Sequence, residues 1–383
     1  MEFGNPFIYG EIVTQPAFAD RDDERARLGR DLAAAQKVFL ISPRRYGKSS
    51  LIRDVMRGLG RQRILTVEVT VAASSSYVGF LESYARALVA AETPAGTIRR
   101  WAGELLQPLK PELRFDPHSG GDAGFALAFP GVRTARDAAR LAAEVFALPG
   151  RIAAARKQNL AIALDEFQAI ASFNGGSVEH ALRAAVQDQR TVGYVFAGSE
   201  PSLMERMLGP RRPFYKAGPV MRLEKIPHAL FESFIEARFA ASGVRPEPGL
   251  GAAIVELAGN VPYDVQRLAH ETWDDIKAAG RRTAGLDNLH STLVRLLGEH
   301  HTVFEESWQR LTLAQRAALR AVVLEDGREL LSADVRTRHR LQGASSVQSA
   351  LAALVREDIV SRDGARYVVG DSLYREWVAR KTF

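Results

Sequence analysis

The sequence predicts an α/β protein, with a core on a parallel sheet, then a helical lid, then a C-terminal winged helix-turn-helix. Short continuous apolar runs alternate with helical patterns through residues 1–225. Strand signals then cease, and the chain closes on three helical patterns and a hairpin signature. At 383 residues the chain exceeds what one core usually supports, which fits this division into 1–225, 226–301 and 302–383.

The core strands are read at KVFLI (Lys37 to Ile41), RILTVEVTV (Arg63 to Val71), NLAIAL (Asn159 to Leu164) and GYVFAG (Gly193 to Gly198), with a weaker fifth, VMRLEKI, from Val220. Unbroken apolar runs suit strands buried on both faces. Helical patterns fill Ser49 to Gly58, Tyr77 to Ala91, Ala135 to Lys157 and Val178 to Gln187. Residues 93–134 carry enough Pro and Gly to break any long element and read as an irregular insertion with some helix. Beyond Pro227, HALFESFIEARFAASG, GLGAAIVELAG and YDVQRLAHETWDDIKAAG are successive amphipathic helices. The last unit reads as helices LTLAQRAALRAVV, SADVRTRHR and SSVQSALAALVRED, then two short strands around an Asp363-Gly364 turn.

Composition excludes several chemistries. There is no cysteine, so no disulfide framework, thiolate metal site or cysteine nucleophile. No GxSxG elbow and no HExxH occur, His300 and His301 point to different helix sides, and Trp308 and Trp377 fall in apolar stripes as core. No segment reads as a signal peptide or membrane span, so the expected location is cytoplasmic, without a membrane partner. A net charge of +6 favours polyanions weakly.

The chemistry gathers in VFLISPRRYGKSSL, nearly GxxxxGK[ST] with Ser42 in place of the first glycine. A strand feeding a glycine loop and a helix aims backbone N–H groups at one point, where phosphate sits. Pro43, Arg44, Arg45, Tyr46, Gly47, Lys48, Ser49 and Ser50 form this binding loop. Lys48 would reach the β- and γ-phosphates and Ser49 would hold Mg²⁺. The plain alternative is a Lys-Ser helix start after a loop. AIALDEF ends its strand on Asp165, a second Mg²⁺ ligand through water, and Glu166, placed to orient and deprotonate the attacking water. A solvated acidic pair is the alternative there. Ser199, where the strand of YVFAGSE ends, either bonds the γ-phosphate or lytic water or caps the helix after it. Arg211 or Arg212 in GPRRPFYK either supplies positive charge to phosphoryl transfer, in cis or from a neighbouring chain, or belongs to an exposed basic loop.

In order, NPFIYG, FADRDDE, SPRRYGKSSL, ALDEF, VFAGSE, RRPFY, GNVPYDVQRL and the DSLYREW tail resemble the archaeal-type ATPases of the STAND class, relatives of the AAA+ ATPases, over nearly the whole chain. The resemblance implies ATP or ADP as ligand with Mg²⁺. It brings Phe18 and Arg21 near the base and places Gly259 and Pro262 in an adenine-touching turn. This chain reads Gly-Asn-Val-Pro there, one residue longer than the family's Gly-x-Pro; read without the family, Pro262 is simply a first helical residue. The resemblance, with the absence of a guanine-reading Asn/Thr-Lys-x-Asp motif, favours adenine.

The function expected is a Mg²⁺-dependent P-loop ATPase acting as a nucleotide-driven switch, with a nucleotide-dependent homo-oligomer as one form it could take. The alternative is a DNA-binding regulator or initiator-like protein in which nucleotide is mainly structural, and a third reading gives the winged helix a protein partner. For duplex DNA, Ser345 to Glu357 as recognition helix offers Ser345, Ser346, Gln348, Ser349 and one basic residue, Arg356; the better basic cluster is Arg336, Arg338 and Arg340, with Arg362 and Arg366 in the hairpin.

Overall fold

The computed structural model describes residues 4–11, 19–92, 111–115, 125–173 and 177–381. The chain divides into two compact units, Arg21–Glu224 and a second made of Met1–Asp20 with Lys225–Phe383.

The first unit runs α1 (Asp22–Ala33), β1 (Lys37–Ile41), α2 (Lys48–Arg61), β2 (Leu65–Thr70), α3 (Tyr77–Glu92), β3 (Glu112–Phe115), β4 (Phe125–Ala128), α4 (Ala135–Arg156), β5 (Leu160–Asp165), α5 (Ser177–Asp188), β6 (Val192–Gly198), α6 (Pro201–Met207) and β7 (Val220–Arg222). Five strands form one parallel sheet in the order β2-β5-β6-β1-β7. Burial explains the apolar runs: every residue of β6 is buried, and β5 is buried up to Asp165, which is half-exposed. Register sets Ile41 beside Gly198 and Leu164 beside Phe196, so β1, β5 and β6 end at one sheet edge. That carboxyl edge is where open α/β sheets bind ligands.

Three elements of this unit are not legible from the sequence. Helix α1 buries only Leu28 and Leu32, too few apolar positions for a periodic signal. Within the Pro- and Gly-rich insertion, β3 and β4 pair as an antiparallel hairpin, Glu112 opposite Ala128. The helix expected in that insertion lies outside the described residues.

The second unit continues with α7 (His228–Ala241), β8 (Arg245–Pro246), α8 (Leu250–Leu257), α9 (Pro262–Ala278), β9 (Thr283–Ala284), α10 (Leu286–Glu299), α11 (His301–Arg310), α12 (Leu313–Leu324), α13 (Ala333–Arg338), α14 (Ala344–Arg356), β10 (Val360–Asp363), β11 (Arg366–Val369) and α15 (Ser372–Arg380). One hydrophobic cluster runs through it, from Phe7 and Phe239 to Trp308, Leu351 and Trp377. The N-terminal segment is tied to this unit by Phe7 on Phe239, ring centroids 4.8 Å apart, and by the Tyr9 hydroxyl donating to Glu271 at 2.5 Å. The three helices and the hairpin read from the sequence are present as α12, α13, α14 and β10–β11, with one shift, while helices α11 and α15 lie outside those patterns. Asp363 pairs with Arg366, so the inner turn residues are Gly364-Ala365, and Gly364 takes the left-handed φ of +61°.

Among the described residues no helix is long and apolar enough to cross a membrane.

Candidate functional site

The loop between β1 and α2 stays in the sheet's register through Ser42, whose amide donates to the Gly198 carbonyl at 3.2 Å. Left-handed backbone falls later, at Arg45 (φ +69°) and Gly47 (φ +84°), and not at Ser42. A serine therefore fits where the motif carries its first glycine. Gly47 is the N-cap of α2 and no side chain caps that helix start. The first-turn amides lack intrahelical partners, and no acidic residue of the helix itself lies in that turn; the carboxylate that meets it is Asp165, from β5.

Lys48 begins α2 and is 6% exposed. Its ammonium is bonded to Asp165 and lies 3.3 Å from Glu166 Oε1. The Ser49 hydroxyl donates to Asp165 Oδ2 at 2.8 Å. Glu166 follows β5 in the left-handed region, φ +52°. Its Oε2 accepts from the Ser199 hydroxyl and from Gln168 Nε2, each at 2.5 Å. Burial lowers the Lys48 ammonium below its ordinary pKa, and Glu166 pulls it part of the way back. Burial alone would raise the Glu166 carboxyl; the Ser199 hydroxyl, the Lys48 charge and the Gln168 amide together hold it below the usual glutamate value.

The fold thus brings Lys48, Ser49, Asp165, Glu166 and Ser199 into one cluster. A hydroxyl and a carboxylate 2.8 Å apart, Ser49 and Asp165, are hard oxygen donors of the kind Mg²⁺ takes. Among the described residues no group of three His, Cys, Asp or Glu offers another metal site. A cavity of about 540 Å³ opens beside the acids, lined in part by Arg44, Glu166, Gln168, Ser199 and Glu200. Arg44 lies 3.8 Å from Glu200 at its rim.

Other expected residues are described by their own contacts. Arg212 donates to Glu179 Oε1 at 2.5 Å, which ties it to α5 and not to the Lys48 cluster; Glu179 is fully buried. Arg21 is 4% exposed and donates to Glu24 at 2.7 Å and to the Glu224 carbonyl. Phe18 lies outside the described residues. Pro262 is the first residue of α9 in the second unit, and the Gly259 carbonyl before it accepts from Lys225 at 2.8 Å. Gln168 escapes sequence reasoning; its only signal there is a polar residue two positions after Glu166 in an otherwise apolar run.

A family model described as a probable winged helix domain matches residues 302–380. No curated protein matches the sequence. Among solved structures the chain is similar to a Walker-type ATPase of Pyrococcus abyssi, at TM-score 0.60 and 15% identity over 95% of this chain and 97% of that one. It is also similar to the Aeropyrum pernix ORC2 protein in its ADP form, at TM-score 0.51 and 13% identity over 97% of both chains. The Aeropyrum pernix ORC1 protein in complex with DNA follows at TM-score 0.50 and 15% identity, over 94% and 92%. At such identities the likeness defines the fold alone: an α/β core on a parallel sheet, as in that Walker-type ATPase, with a C-terminal winged helix.

Proposed function

We propose that the chain is a Mg²⁺-dependent P-loop ATPase of the AAA+/STAND type that works as a nucleotide-driven switch. The observation that carries this is the convergence of Lys48, Ser49, Asp165, Glu166 and Ser199 at the carboxyl edge of one parallel sheet.

In this reading the amides around Gly47 and the start of α2 cradle the phosphates of ATP. Lys48 leaves the two acids and donates to the β- and γ-phosphate oxygens. Ser49 and, through water, Asp165 would hold Mg²⁺, which when bound would neutralise charge on the phosphates. Glu166 orients a water and takes its proton as the water oxygen attacks the γ-phosphorus; the bond to the bridging oxygen breaks, releasing ADP and phosphate. Ser199 keeps Glu166 in place or donates to the γ-phosphate. The base contacts at Phe18, Arg21 and Pro262, a charge supplied by Arg212, a nucleotide-dependent homo-oligomer and a cytoplasmic location belong to the same proposal.

A second reading makes the chain a DNA-binding regulator in which nucleotide is structural; the winged helix, and the likeness to a protein solved in complex with DNA, favour it. Phosphate release from Mg·ATP, with and without duplex DNA, in the intact protein and Glu166→Gln separates the two. The first reading expects turnover that collapses in the variant. Turnover absent from both proteins, with salt-sensitive duplex binding, supports the second.

A further inference from the structure

We infer that Gln168 is a positioning residue for hydrolysis, holding the Glu166 carboxylate in the orientation from which it can face water. The inference rests on the hydrolytic reading above. Ser199 and the Gln168 amide bond the same oxygen, Oε2, and Gln168 Nε2 also lies 3.4 Å from the Ser199 hydroxyl. Oε1 remains on the side of Lys48, 3.3 Å away. Glu166 therefore has one oxygen clamped and one directed toward the loop's cation.

The surroundings of Gln168 fit this task. Its side chain is 6% exposed, in the turn of Phe167–Ser172 that the Ala169 amide closes on the Glu166 carbonyl at 3.0 Å. The opposite amide orientation would set a carbonyl against the Glu166 carboxylate, so the nitrogen faces the acid, and among the described residues the buried Oε1 meets no hydrogen-bond donor. Leaving an acceptor unpaired is unfavourable, and an apolar side chain would avoid it. Gly198, at the end of β6, leaves the space: a Cβ there would lie 2.8 Å from Gln168 Oε1 and 2.4 Å from Met204 Cγ. Two positions on different elements are thus shaped around one amide.

The test is a cycle on the full chain: intact protein, Gln168→Leu, Glu166→Gln and the double variant, each measured for single-turnover phosphate release and for equilibrium binding of Mg²⁺ with a non-hydrolysable ATP analogue. Gln168→Leu is expected to slow release by about ten- to hundredfold, leave analogue affinity within about twofold, and add no further loss in the Glu166→Gln background. Unchanged release in Gln168→Leu, or equal losses of release in both backgrounds, overturns the inference. An intact protein that binds the analogue but releases no phosphate overturns the hydrolytic reading, and this inference with it.

Discussion

The Lys48 ammonium is bonded to the Asp165 carboxylate, so the loop's cation and the strand's first acid offset each other's charge. ATP without metal must break that pair to reach Lys48. Asp165→Asn should therefore tighten metal-free ATP severalfold, because a largely buried pair no longer has to be broken, while removing the gain that Mg²⁺ gives. Titration of a fluorescent ATP analogue with and without Mg²⁺ reads both effects, and their opposite signs separate this interaction from a general loss of folding.

Arg212 is bonded to a carboxylate that water does not reach. Burial raises the Glu179 carboxyl and Arg212 offsets part of that. Arg212→Ala leaves Glu179 without its cation and should cost about 2 kcal/mol in denaturant unfolding, moderated because Arg212 is half-exposed. Pairing it with Glu179→Leu should restore most of the loss. If turnover recovers with stability, Arg212 holds α5 in place; turnover that stays low gives it a part in catalysis.

The N-terminal segment is held by a pH-dependent hydrogen bond. Burial alone would raise Glu271, but the Tyr9 hydroxyl and Arg295 hold it below the ordinary glutamate value. Its folded pKa is depressed, so its stabilising contribution is whole above about pH 4.5 and declines as acid titrates through the lower folded value. Burial, followed by Glu271, raises the Tyr9 phenol to about 12. That contribution is whole below the ordinary tyrosine value near 10 and declines as pH rises through the folded one. In thermal unfolding followed from pH 3 to 12, Glu271→Gln should flatten the acid limb and Tyr9→Phe the alkaline limb.

In the winged helix Arg338 is paired with Glu325 and Asp334, and Arg366 with Asp326. Arg340 and Arg362 are exposed. If the unit binds duplex DNA, neutralising Arg336, Arg338 and Arg340 should weaken binding evenly across sequences. The dependence of log affinity on log salt should fall by about one for each DNA phosphate that is no longer neutralised. Fluorescence anisotropy across a salt series measures both.

The sheet and the winged helix are legible in the sequence because their cues are local: apolar runs at Leu160–Leu164 and Val192–Gly198, and helical periods before an Asp363-Gly364 turn. The acids and the loop are legible as patterns, Gly47-Lys48-Ser49 and Asp165-Glu166. What joins them is not. Pairing Lys48 with Asp165 depends on β1 and β5 ending at the same edge with β6 between them, a property of strand order that no short window holds. Gln168 is hidden for the same reason, since its meaning lies in Glu166, Ser199 and the missing side chain at Gly198. Residues 4–11 join the second unit through Phe7 and Tyr9, whose partners are more than two hundred positions away.

The most direct measurement is the nucleotide held after incubation with labelled Mg·ATP and rapid isolation of the complex, comparing the intact chain with Lys48→Ala and Glu166→Gln. A site that binds through the loop and hydrolyses through the acid should retain ADP in the intact protein, unhydrolysed ATP in Glu166→Gln and no nucleotide in Lys48→Ala. Equal retention in all three proteins, or ADP formed equally in Glu166→Gln, would contradict it.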